Sequence, residues 1–254
     1  MLSGSEIVLA GLAALAAGFI NSLAGGGTLI SFPALVALGI PDIAANITST
    51  VALCPGYLGG AIAQKEDLKG QEKRLLFLLP AGIIGGVVGG ILLLYVSGNI
   101  FRMLVPFLIL LASVLLAVQD RVRKWVEQHS AGRGPEKYPS GTFLPVSLVA
   151  VYGGYFGAGL SVIVLAVLGL FFDDTLTRLN ALKQCVSLSV NLAAAVFFLF
   201  SGLVLWPFAL VMAVAALSGG ALGGHVAGRI NPDLLRWTIV AIGLVVGIIL
   251  LVRV

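Results

Sequence analysis

Long stretches of this chain contain no Asp, Glu, Lys or Arg, among them those between Glu6 and Asp42, between Arg74 and Arg102, and between Lys183 and Arg229. Each exceeds the roughly 20 apolar residues that cross the hydrocarbon core of a bilayer. A water-soluble domain must cover its surface with polar groups, yet 59% of the 254 residues are hydrophobic and only 10% charged, with a mean hydropathy of +1.09. Lipid must therefore be the solvent for most of the surface. The first apolar stretch has no basic residue before it, so it reads as a membrane segment rather than a cleaved signal.

The net charge of +4 does not point to nucleic acid, because the basic residues sit in the linkers between apolar segments. Cys54 and Cys185 both lie in apolar stretches and indicate neither a disulfide framework nor a metal site. No cofactor is expected.

Cutting at glycine, proline and charge clusters predicts ten helical segments, near 5–23, 28–39, 43–64, 73–96, 100–119, 142–157, 161–172, 177–200, 206–227 and 233–253. They form two sets of five, related by one ungapped offset of 134 residues. At that offset Gly25 meets Gly159, Asn46 meets Asn180, Leu58 meets Leu192, Ala61 meets Ala195 and Arg102 meets Arg236. The glycines of GGVVGG (85–90) meet those of GGALGG (219–224). The expected fold is an all-α polytopic membrane protein of two repeats, at 1–119 and 142–254, joined by a cytoplasmic linker at 120–141.

Lys and Arg placement orients the chain. The linkers 65–74 and 119–141 are basic, and placing both in the cytoplasm puts 12 basic residues inside against Arg102 and Arg253 outside. The linker after the third segment is basic, while its counterpart in the second repeat, SGLVLW, is neutral. The repeats are therefore expected in inverted topology, with the N-terminus outside.

The second and seventh segments have only about 12 residues, roughly 18 Å of helix, too short for an upright crossing. Each follows a glycine break, AGGGT or FGAGLS. They are expected to be broken or re-entrant helices, whose non-helical backbone survives in a membrane only against protein or water. Such breaks at equivalent places in two inverted halves point to a transport site near the midplane.

Amides near Gly26, Gly27 and Thr28, and near Gly159, Leu160 and Ser161, would then face the interior, and helix N-termini favour anions. Hydroxyls and amides crowd the same places: Asn21, Ser22, Thr28, Ser31, Asn46, Thr48, Ser49 and Thr50 in the first half, and Tyr155, Ser161, Asn180, Lys183, Gln184 and Ser187 in the second. Any one of them would ordinarily bond its own helix backbone, so their convergence carries the argument. Lys183 either snorkels to the cytoplasmic edge beside Asp174 and Arg178 or takes a substrate anion as its counterion. GGVVGG and GGALGG read as close-packing seams, and His225 as a solvated or hydrogen-bonded residue rather than a proton carrier.

Residues 18–52, with G-x6-G-G-G-T ending at Thr28, then Pro33, then Asn-x-Thr-Ser-Thr from Asn46, together with YGGYFGAGLSVIVLAVLGL at 152–170, resemble the TauE/SafE family of sulfite-exporter-like permeases. The second half departs from this form, with GAGLS in place of the triple glycine and no proline in its short segment. The resemblance covers nearly the whole chain. It implies a prokaryotic cytoplasmic-membrane exporter of sulfite or a related organosulfur anion.

The expected function is secondary transport of a small anion by alternating access. An anion channel, or an importer of another small carboxylate or sulfur anion, is the alternative. The sequence holds no Walker-type loop, no H-E-x-x-H and no G-x-S-x-G, so an ATPase or an intramembrane enzyme finds no support. The expected partners are the small anion and the lipid bilayer. The sequence leaves a homodimer open.

Overall fold

The computed structural model describes residues 4–23, 26–129, 140–226 and 232–253. Gly25, Arg229, the linker at 130–139 and the side chains of Ser22 and His225 lie outside what it describes. Ten α-helices follow one another: α1 (Gly4–Leu23), α2 (Thr28–Ala37), α3 (Asp42–Ala63), α4 (Glu72–Tyr95), α5 (Gly98–His129), α6 (Phe143–Tyr155), α7 (Leu160–Phe171), α8 (Leu176–Leu199), α9 (Trp206–Val226) and α10 (Pro232–Arg253).

Six of them, α1, α4, α5, α8, α9 and α10, are long and apolar enough to cross a membrane, whereas α2, α6 and α7 are shorter apolar helices of 10 to 13 residues. The 22-residue α3 is long enough but too polar to count with the six. Its Asn46, Thr48 and Ser49 are all buried, which is where polar side chains of a membrane helix belong.

The main departure from the sequence-based boundaries is α5, which continues ten residues past its expected end at 119. The QDRVRKWVEQH stretch read as linker is helical because Val122 and Val126 recur one turn apart on one face, and Val126 is fully buried. A side chain at Gly169 of α7 would overlap Val126, so the extension is clamped against α7.

Helix starts repeat at one interval. α3, α4 and α5 begin at Asp42, Glu72 and Gly98, and α8, α9 and α10 at Leu176, Trp206 and Pro232, each 134 residues later. The packing partners repeat as well: α1 lies on α9 as α6 lies on α4, and α3 on α9 as α8 on α4.

Contacts at glycines give the directions. Gly85 meets Ser147 and Ala150, and Gly89 meets Val151 and Gly154, so α4 and α6 run parallel; Gly11 at Val211 and Gly18 at Ala216 make α1 and α9 parallel. Along α10, Gly243 meets Ser113 and Gly247 meets Leu110, so α5 and α10 run antiparallel. These close approaches confirm GGVVGG as a packing seam. A Cβ at Gly89 would overlap the Val151 carbonyl, and one at Gly86 would stand 2.6 Å from the Val190 carbonyl.

Charges gather at one end of the bundle, where α4 and α8 start. Asp174 accepts from Arg74 at 2.5 Å and from Arg178 at 3.0 Å, and the Thr175 amide donates to it at 2.8 Å. Burial alone would raise the Asp174 carboxyl, but these hydrogen bonds outweigh it and hold the group below the ordinary carboxylate value. The Arg74 guanidinium also lies over the Phe172 ring, 5.0 Å from its centroid. At the same end Arg236, nearly buried, pairs with Asp120 of α5 and with Asp233. At the opposite end Arg102 pairs with Asp42 at 3.1 Å.

Candidate functional site

Both short helices begin at a glycine in the left-handed region, Gly26 (φ 89°) before α2 and Gly159 (φ 75°) before α7. An L side chain is strained there, so glycine is what lets the chain turn at each break, with Gly157 (φ 79°) a second such residue ahead of α7. Both breaks rest on the same part of α5: a Cβ at Gly26 would stand 2.5 Å from Leu116, and one at Gly159 would stand 3.1 Å from Leu115.

A cavity of about 320 Å³ opens where the two breaks converge. Of the residues singled out in the sequence, Asn21, Gly26, Thr28, Gly159, Ser161, Asn180, Lys183 and Gln184 line it. Two helix N-termini therefore face one space, each with the partial positive charge of its unpaired amides. The amides of Gly159 and Ser161 have no acceptor among the described residues, while that of Leu160 donates to Gly157 O at 3.2 Å and is not free.

Lys183 Nζ donates to Asn180 Oδ1 at 3.0 Å. It does not share Asp174, which is taken by Arg74 and Arg178. Lys183 thus faces the cavity rather than snorkelling to that carboxylate. Arg123 of α5 lines the same cavity, and neither cation has a carboxylate in ion-pair range among the described residues. Among the described residues, Asp67 is the one acidic side chain on the lining. The buried Gln119 Oε1 and Ser187 Oγ, both on the wall, have no hydrogen-bond partner among the described residues.

Asn46, Ser49, Thr50 and Tyr155 do not line this cavity, nor does Gly27, whose backbone packs against the end of α1 at Ala17 and Asn21. Asn46 Nδ2 donates to the Tyr155 carbonyl at 2.9 Å, joining the two halves, and its Oδ1 is buried without a partner among the described residues. Ser49 Oγ lies 2.7 Å from Ser31 Oγ, and Thr50 Oγ1 donates to Asn46 O at 2.9 Å. The two hydroxyls are thus satisfied within the first half of the chain, that of Thr50 by its own helix as is common in membrane helices.

Sequence reasoning missed Tyr57, Gln119 and Arg123. Gln119 stands at the expected end of the fifth segment, whereas Arg123 falls in the stretch read as linker that is in fact α5. A hydrophobic repeat carried through Val122 and Val126 is the signal that keeps Arg123 on the helix.

Long apolar helices packed around a polar cavity define a multi-pass membrane transporter. Residues 10–250 match the family described as sulfite exporter TauE/SafE, and the chain belongs to that family. It is 28% identical to the probable membrane transporter protein ORF9 of a Sinorhizobium species, over 94% of this chain and 90% of that protein. Identity to the probable membrane transporter protein YfcA of Escherichia coli K12 is 24%, over 92% and 85% of the two chains. A probable membrane transporter protein of Haemophilus influenzae is 26% identical over 87% and 84%. No solved structure matches the chain.

Proposed function

We propose that the chain is a secondary transporter of a small anion, sulfite or an organosulfonate, working by alternating access in a prokaryotic cytoplasmic membrane. The observation that carries this reading is the meeting of two short-helix N-termini with Lys183 and Arg123 in one cavity. Fixed dipoles and cations without carboxylate partners are a ready counter-charge for an oxyanion. Its oxygens accept from the amides of Gly159 and Ser161, from Thr28, Asn21 and Gln184, and from Lys183 held in place by Asn180.

In this reading the two sets of five helices are inverted repeats. The common 134-residue interval and the antiparallel packing of the equivalent helices α5 and α10 support it. The end bearing Lys65, Lys69, Arg74, Arg123 and Arg178 faces the cytoplasm, by the excess of basic residues there, and the N-terminus faces outside. The cavity, which includes Gln64, Asp67 and Thr177 from that end, then opens inward. Net export follows the family description.

The test is the thermal shift of purified protein against sulfite, sulfate, sulfonates, carboxylates and chloride, because a ligand of the folded state must stabilise it. Selective stabilisation by sulfite or a sulfonate, lost in Lys183→Ala, is the expected outcome. No stabilisation by any anion would overturn the reading.

A further inference from the structure

The 134-residue offset pairs Asn46 with Asn180, and it also pairs Tyr155 with Asn21. Each asparagine is the fifth residue of its helix, α3 or α8, and each partner sits near the end of the helix before a glycine break, α6 or α1. Yet the two sets are in different states. Asn46 Nδ2 is bonded to the Tyr155 carbonyl, and the segment it holds is fixed further by Phe156 against Phe32 at 5.4 Å and by the Tyr155 ring against Phe101 at 5.7 Å. Asn180 instead spends its Oδ1 on Lys183, and both Asn180 and Asn21 face the open cavity.

We propose that Asn46 and Asn180 are alternating clamps of the transport cycle: in the opposite state the Asn180 amide bonds the Asn21 carbonyl, closing this cavity, while the Asn46 bond to Tyr155 opens. The inference rests on the reading of two inverted halves that expose the site in turn. The logic is that equivalent sequences in inverted halves have the same closed arrangement available to them. The closed arrangement of one half is visible at Asn46, so it is the template for the other. Exchange also explains two loose ends. Asn46 Oδ1 is buried without a partner among the described residues, as suits a side chain placed to release its bond. Lys183 takes the oxygen of Asn180 and leaves its amide for the other state. Asn46 and Asn180 are positioning residues in this scheme, and Asn46 touches no substrate.

The experiment uses reporters at equivalent positions, Thr177→Cys at the cavity mouth and Ile43→Cys on the first turn of α3, each in a Cys54→Ala, Cys185→Ala background. Purified protein in nanodiscs is labelled with a charged maleimide, and the two rates are compared. Asn46→Ala is expected to slow labelling at 177 and speed it at 43 by about fivefold, the effect of one hydrogen bond on a two-state balance. Asn180→Asp keeps the Lys183 contact but removes the amide donor. It is expected to leave 177 fast and slow 43 by about fivefold. The double variant should return the ratio of rates toward the parent.

A purely structural role for either residue would move both reporters in the same direction, or neither, and would overturn the clamp. Phe32→Ala, which removes the ring packed on Phe156, separates the two levels of the argument. If it shifts the reporters reciprocally while the asparagine variants do not, alternation stands and the clamp fails. If no variant moves the reporters reciprocally, alternating access fails and the clamp with it.

Discussion

Lys183 and Asn180, one turn apart on α8, meet at 3.0 Å, and both side chains face the cavity shared by the α2 and α7 N-termini. The ammonium is thereby aimed at the cavity by a neutral partner that leaves its charge uncompensated. Lys183→Ala is expected to weaken anion binding by about tenfold or more, the loss of a charge-assisted hydrogen bond. The check is the concentration dependence of the thermal shift. Wild-type affinity in the folded variant would remove Lys183 from the site.

Asp174 predicts a dependence on acid. Its carboxyl is held below the ordinary value in the folded state, so its contribution is fully present above the unfolded carboxylate pKa of about 3.9 and is lost as pH falls through the lower folded value. Asp174→Asn should lower the melting temperature at neutral pH and flatten the acid limb below about pH 4. An acid limb identical in the two proteins would show that other carboxylates govern it.

Arg236 lies 134 residues after Arg102, but the two do not have equivalent surroundings. The side chain of Arg236 is 6% exposed and faces two carboxylates, while that of Arg102 is 68% exposed and faces one. Truncating Arg236 to Ala is expected to cost about 1–2 kcal/mol, more from the lost packing of its buried side chain than from its part-exposed carboxylate partners, and truncating Arg102 less than about 1 kcal/mol. Matched denaturation of the two variants decides it, and equal losses would contradict the difference in burial.

Gly89→Val should fail to fold or lose about 3 kcal/mol, because the added atoms overlap the Val151 carbonyl, which is backbone and cannot swing aside. Gly98→Ala, where a Cβ would meet nothing within 4 Å, is the control and should be neutral. The comparison is made by yield and melting temperature.

Much of this was legible in the sequence because membrane helices announce themselves by length and by glycine and charge punctuation. The starts at Asp42, Glu72, Leu176 and Trp206 each fall within a residue of expectation. The cavity residues were legible because the breaks at Gly26 and Gly159 force nearby polar groups inward. Arg123 was not, since a helix that leaves the membrane turns charged and resembles a linker. Nor was the bond from Asn46 to Tyr155: a bond across 109 residues leaves no local pattern.

The seams of α4 against α6 and α8, and of α1 against α9, press backbone on backbone, with glycine at the tightest points. Such surfaces have no rotamers to reshuffle, so they transmit force without deforming. In the proposed transport cycle each of these seams would move as a stiff plate, leaving compliance to the short helices that restart after Gly26 and Gly159. A substitution that softened a plate would then blunt the movement even where it left every contact in the cavity intact.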